Sequence, residues 1–100
     1  MNNPTSSEQQ LHSIRENIDN IDSQLISLLI ERFKQSKNIG IVKEKLQIQI
    51  LDHIREDEVK MHWIQQSTDD LDLLPILESI LNVSKAIQKK LRSPQVIGDI

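Results

Sequence analysis

The chain has 100 residues, which allows one domain with a modest core. It contains no cysteine, so disulfides, thiolate metal sites and cysteine nucleophiles are excluded. The formal net charge of −3 argues against a nucleic-acid-binding protein, which would carry a basic face. No apolar run is long enough to span a membrane and the N-terminus lacks a signal-peptide core, so we expect a cytoplasmic protein. Abundant isoleucine and leucine, with two aromatic residues and two glycines, predict an all-α fold.

The first predicted helix runs from about Gln9 to Leu46 and is the longest element. Its apolar residues recur at alternating steps of three and four, at Leu11, Ile14, Ile18, Ile21, Leu25, Leu28 and Leu29. Such a helix would be about 57 Å long, at about 1.5 Å per residue. A compact domain of this size has a diameter of about 35 Å. We therefore expect the helix to extend beyond its own domain and to be covered by a second chain.

The ends of this helix are marked by polar signals. Residues 1–6 are predicted to form a flexible tail, and three overlapping pairs fit a capping box, namely Thr5–Glu8, Ser6–Gln9 and Ser7–Gln10. Gly40 lies within the helix, where it either permits a close approach or marks a local weakness. Residues 47–50 alternate polar and β-branched residues, but the chain offers no partner strand, so a connection between helices is predicted.

Two further helices complete a single predicted domain, residues 1–100. Asp52 is the predicted N-cap of the second helix, His53 to about Gln66. The residues expected to face inward on it are Ile54, Val59, Met61 and Trp63. After a turn at residues 67–70, the third helix should run from Asp72 or Leu73 to Leu91, with Pro75 in its first turn. Residues 93–100 are predicted to form a second flexible tail.

Cationic residues lie on or near the apolar stripe of the first helix. Arg32 and Lys43 share a face about 16 Å apart, so they could hold the two ends of a small dianion. The alternative is that each stem packs while its charged head reaches solvent. Arg15 lies about 25 Å from Arg32 and could join it only from an antiparallel second copy. An exposed ion pair with Asp19 or Glu16 is the alternative for Arg15.

The other two predicted helices carry polar residues at one-turn spacing. Asp52, Arg55 and Glu56 share a face, which would also suit a helix cap with local ion pairing. Ser84 and Gln88 lie on or beside the third apolar stripe, as a core hydrogen-bond bridge or a ligand contact. This inward set contains cations and an amide but no evident nucleophile. It points to binding of an anion and stabilisation of charge, without a covalent step.

The three histidines are too scattered along the chain to predict a metal site. No glycine-rich phosphate loop is present either.

From Leu11 to about Leu91 the chain resembles the small all-helical chorismate mutases. The matching positions are Arg15, Leu28-Leu29-x-Glu31-Arg32, Ile39-Gly40-x-x-Lys43, Asp52-x-x-Arg55-Glu56 and Ser84-x-x-x-Gln88. One departure is Ile50-Leu51, where relatives often carry a proline. The resemblance implies an intertwined homodimer with paired long helices and two equivalent active sites. It also implies the Claisen rearrangement of chorismate to prephenate, in aromatic amino-acid biosynthesis, with no cofactor and no metal.

The resemblance also implies a role for each matching residue. Arg32, together with Arg15 of the partner subunit, should bind the two substrate carboxylates. Ser84 should assist one of these carboxylates, and Arg55 should support the same end of the substrate.

The remaining roles concern the ether oxygen and the ring hydroxyl. Lys43 and Gln88 should donate to the ether oxygen, while Glu56 and the backbone near Asp52 should accept from the hydroxyl. The same scaffold is used by isochorismate pyruvate lyases and aminodeoxychorismate mutases, which remain alternatives. A non-catalytic helical dimerisation module is a further alternative, although it would be better served by apolar residues at the cationic positions.

Overall fold

The computed structural model describes residues 5–68 and 70–92, and within them the chain forms three α-helices. Helix α1 comprises Ser6–Leu46, α2 His53–Gln66 and α3 Leu74–Arg92. No strand occurs in these ranges, so the predicted all-α class and the non-strand connection at residues 47–50 are confirmed. The predicted tails at residues 1–4 and 93–100 lie outside the described residues. Among the described helices, none is both long enough and apolar enough to cross a membrane.

Helix α1 begins with a complete capping box formed by Thr5 and Glu8. The Thr5 amide donates to Glu8 Oε2 at 2.9 Å, and the Glu8 amide donates to Thr5 Oγ1 at 3.0 Å. Of the three candidate boxes, the first is therefore the one used, and the helix starts three residues before Gln9. Thr5 and Ser6 belong to this helix start, which corrects their assignment to a tail.

Helix α1 ends in a Schellman motif at Gln47. The Gln47 amide donates to the Glu44 carbonyl at 3.2 Å and the Ile48 amide donates to the Lys43 carbonyl at 3.1 Å. Gln47 has a φ of 57°, in the left-handed region that glycine usually occupies at this position.

Helix α2 begins at the predicted cap, since Asp52 Oδ1 accepts from the Arg55 amide at 3.0 Å. The prediction of its inner face was partly wrong. Ile54 and Met61 are exposed, at 76% and 54%, whereas Val59 and Trp63 are half-buried. The less exposed face is formed by Glu56, Val59, Lys60 and Trp63. Their spacing of three, one and three residues defines one face of a helix, turned away from Ile54 and Met61.

Helix α3 supplies the buried core of the second half of the chain. Leu77 is fully buried and Ile80 is nearly so, and Ser84 and Gln88 continue the same face. Pro75 lies in the first turn, where a missing amide proton leaves no helical hydrogen bond broken. At the start of α3, by contrast, Ile76 is 55% exposed and lies off this inner face.

The chain divides into two compact units, one up to Arg32 and the other from Phe33 onward. The first unit is helical, and its apolar stripe is about half exposed, including Leu11, Ile14, Ile18, Ile21 and Leu25. The second unit contains the C-terminal part of α1 together with α2 and α3. A single domain over residues 1–100 stays a prediction.

Candidate active site

The second unit brings α1 and α3 into direct contact at Gly40. A Cβ atom on Gly40 would lie 2.8 Å from Leu91 Cδ1, 3.1 Å from Gln88 Cγ and 3.3 Å from Gln88 Cα. Only glycine lets the two helix backbones come this close. Of the two interpretations left open by the sequence, the structure supports close approach, and the neighbour is the predicted site residue Gln88.

A buried pair of hydroxyls joins the same two helices one turn away. Ser36 Oγ donates to Ser84 Oγ at 3.0 Å, and the residues are 5% and 6% exposed. A buried serine needs hydrogen-bond partners, and this one fixes the position of Ser84 on the inner face of α3. Sequence reasoning did not single out Ser36 as a candidate site residue. Its small polar side chain among apolar stripe positions was the available signal.

Lys43 lies on the α1 face that carries Ser36 and Gly40, seven and three residues earlier. Its side chain is half-buried, and Nζ donates to the Ile50 carbonyl. This bond ties the loop between α1 and α2 to the last turn of α1. Because an ammonium has three donors, Lys43 keeps the capacity to donate to a second acceptor.

Gln88 is the most constrained of the predicted site residues. It is 7% exposed, and its Oε1 has no hydrogen-bond partner among the described residues. Buried side-chain amides in folded proteins nearly always have partners, so an unpartnered oxygen marks a place where water, a ligand or another chain can complete the bonding. Gly40 of α1 packs closely against the Cγ and Cα atoms of Gln88. Gln88 Oε1 therefore forms no core bridge to another described residue, and the ligand contact stays a prediction.

Glu56 of α2 faces α3 and forms an ion pair with Lys85. Lys85 Nζ lies 3.2 Å from Glu56 Oε1, and the side chains are 32% and 19% exposed. Lys85 was missed by sequence reasoning. It lies next to Ser84 in the chain, but only the packing of α2 against α3 reveals its partner.

Asp52 and Arg55 occupy the first turn of α2. Asp52 serves as the helix cap described above, which fits the local interpretation of this cluster. The Arg55 guanidinium is 68% exposed and lies 3.9 Å from Glu58, whose carboxylate is similarly exposed. Among the described residues, the Arg55 side chain is therefore ion-paired with Glu58 and not with Asp52 or Glu56.

The two remaining candidates, Arg15 and Arg32, belong to the first unit. Arg15 is exposed and Arg32 is half-buried. Glu16, one of the two alternative partners proposed for Arg15, instead contacts His12, with 2.8 Å between Nε2 and Oε1.

The second unit thus presents an ammonium, two hydroxyls and a buried carboxamide on facing surfaces of α1 and α3, and a carboxylate on α2. This set is of the kind expected in the class of all-helical proteins that bind a small polar molecule through charge and hydrogen bonds.

Comparison with known proteins gives this class a family. Residues 14–89 match the family model described as chorismate mutase type II, so the chain belongs to that family. The chorismate mutase of Methanocaldococcus jannaschii is 29% identical over 86 residues, which cover 82% of this chain and 87% of the relative. No solved structure matches the chain significantly. The chain is an isomerase of the chorismate mutase type, and the family predicted from the sequence is confirmed.

Proposed function

We propose that the protein rearranges chorismate to prephenate in a site where α1 and α3 face each other and a second copy of the chain supplies one arginine. The observation that carries this proposal is Gln88, a side-chain amide buried on the inner face of α3 and held against Gly40. A purely structural bundle would place an apolar residue at this position, because burying an amide without its full set of partners is costly.

The reaction needs no nucleophile, which agrees with the residues present. The ether C–O bond breaks as a C–C bond forms, and negative charge develops on the ether oxygen. Lys43 and Gln88 donate to that oxygen, and donors fixed in advance are worth more than donors that must reorient. The helical frame around them also selects the folded, chair-like conformer of the substrate.

Two arginines bind the two carboxylates of the substrate. Arg32 comes from the same chain as Lys43, and Arg15 comes from the partner subunit. The half-exposed apolar stripe of the first unit supports such a homodimer, because burial against a second copy would remove that surface from water. Ser84, held by Ser36, assists one carboxylate, and Arg55 supports the same end of the substrate.

Glu56 and the backbone near Asp52 accept the hydrogen bond from the ring hydroxyl. The ion pair with Lys85 supports this role by fixing one oxygen of the Glu56 carboxylate. A carboxylate can accept about four hydrogen bonds, so the pairing leaves capacity for a hydroxyl.

The substrate is tested by supplying chorismate and isochorismate separately to the purified protein. We expect loss of chorismate absorbance with formation of prephenate, and no release of pyruvate from isochorismate. Pyruvate release without prephenate formation would instead assign the protein to the lyases that use this scaffold. Inertness towards both would leave an aminodeoxychorismate mutase or a dimerisation module.

The shared site is tested by mixing variants. Arg15→Ala and Arg32→Ala are each expected to be inactive, because every site then lacks one carboxylate ligand. A mixed dimer contains one site with both arginines intact, so mixing should restore up to about a quarter of the wild-type activity, given random exchange of subunits and two sites per dimer. Absence of recovery, after exchange of subunits has been verified, would contradict the contribution of Arg15 in trans.

A further inference from the structure

Lys85 places a positive charge next to the predicted contact for the ring hydroxyl. Its ammonium lies 3.2 Å from the Glu56 carboxylate, and both groups are largely shielded, with 32% and 19% of the side chains exposed. The two residues lie on different helices, so the pair depends on the packing of α2 against α3.

The pair opens onto a polar cavity of about 210 Å³. The cavity is lined by Glu56, Lys60, Glu78, Leu81, Asn82 and Lys85. Two carboxylates therefore face two ammonium groups, and the formal charge of the lining is zero. Such a lining gives no net attraction to a cation.

We propose that Lys85 makes the position beside Glu56 selective for a neutral hydroxyl over an ammonium group on the same ring carbon. This inference rests on the proposed function, in which Glu56 accepts from the ring substituent. It concerns the choice between chorismate and its analogue that carries an amino group in place of the ring hydroxyl.

The selectivity follows from charge. A hydroxyl donates to Glu56 without adding charge, so the ion pair with Lys85 can persist while the substrate is bound. An amino substituent that is protonated would bring a second cation close to Lys85, and like charges at this range repel. The Glu56 carboxylate would then be shared between two ammonium groups. Removing the Lys85 charge leaves the cavity lining with one excess negative charge, which favours the cationic substituent.

The test measures kcat/KM for chorismate and for the amino analogue with five proteins. These are the wild type, Lys85→Gln, Lys85→Arg, Lys60→Gln and the control Lys90→Gln, which removes a charge from an exposed site on α3. Lys90 lies five residues further along, about 140° around the helix from Lys85. Because both substrates are assayed on one preparation, loss of folded protein cancels in the ratio of the two constants.

We expect the wild type to prefer chorismate and Lys85→Gln to shift the ratio towards the amino analogue by about tenfold, the size expected for one partly screened like charge. Lys85→Arg should keep the wild-type ratio, and so should Lys90→Gln. Lys60→Gln, which lowers the charge of the same cavity but leaves the ion pair intact, should shift the ratio in the same direction by a smaller factor.

Suppose that the variants convert chorismate but that the ratio of the two kcat/KM values in Lys85→Gln and Lys60→Gln equals that of the wild type. This result would overturn the role of Lys85 and leave the proposed function in place. An equal shift in Lys90→Gln would also overturn it, because the effect would then follow net charge alone. If the wild type converted neither compound, the proposed function would fail and this inference would fail with it.

Discussion

Replacement of Gly40 by alanine should disturb both the packing of α1 against α3 and the site itself. The added Cβ would meet the Leu91 side chain at 2.8 Å, which can rotate away, and Gln88 Cγ at 3.1 Å. It would also lie 3.3 Å from Gln88 Cα, a backbone atom that can move only with its helix. Alanine gains about 1 kcal/mol of helix propensity over glycine. Overpacking of a tight contact costs about 1–3 kcal/mol. We therefore expect the free energy of unfolding to fall by up to about 2 kcal/mol.

The effect on catalysis should exceed the effect on stability. Because the Gln88 backbone must move by a few tenths of an ångström, its amide is displaced from the ether oxygen, and we expect kcat/KM to fall about tenfold or more. Urea unfolding at one fixed protein concentration measures the stability, and prephenate formation measures the activity. Asn38→Ala is the matched control, since it adds helix propensity at an exposed position of α1. A Gly40→Ala protein as stable and as active as this control would refute the close-packing argument.

Other changes test individual contacts. Gln47→Gly should stabilise the protein by about 0.5–1 kcal/mol in urea unfolding, because glycine adopts the left-handed conformation at the α1 terminus without strain; a loss of stability would contradict this reading of the Schellman motif. Ser36→Ala removes a buried hydrogen bond to Ser84 and should cost about 1 kcal/mol, and a double-mutant cycle with Ser84→Ala should show coupling between the two positions. Gln88 does not titrate, so the wild-type rate should not rise sharply as the pH is lowered below 5. Gln88→Glu, by contrast, should be more active in acid than at neutral pH, because only a protonated carboxyl can donate to the ether oxygen; equal activity at both pH values would argue against donation from this position.

The helices could be predicted from the sequence because their signals are local. The capping box at Thr5, the cap at Asp52 and the proline in the first turn of α3 each act within a few residues. The inner face of α2 was predicted less well, because Ile54 and Met61 are apolar and yet exposed. Helix α2 is short and has few apolar residues, so its orientation depends on how it packs against α3. That information is tertiary.

The same distinction between local signals and tertiary packing applies to the candidate site. Lys43, Ser84 and Gln88 could be found because they interrupt or adjoin apolar stripes whose register is otherwise regular. Gly40 was visible as an anomaly within a helix, but its neighbour Gln88 lies 48 residues away. The ion pair of Glu56 with Lys85 could not be predicted, because neither residue is unusual for an exposed helix face. Only packing turns the two towards each other.

The most direct test of the catalytic claim is kcat/KM for chorismate in Lys43→Ala, compared with the wild type. Lys45→Ala is the control, since it removes a charge from an exposed position in the same last turn of α1. Loss of one donor to a developing oxyanion costs about 100- to 1000-fold in rate, so we expect a loss of that size in Lys43→Ala and little change in Lys45→Ala. Nearly normal kcat/KM in folded Lys43→Ala would contradict the claim that this ammonium stabilises the ether oxygen.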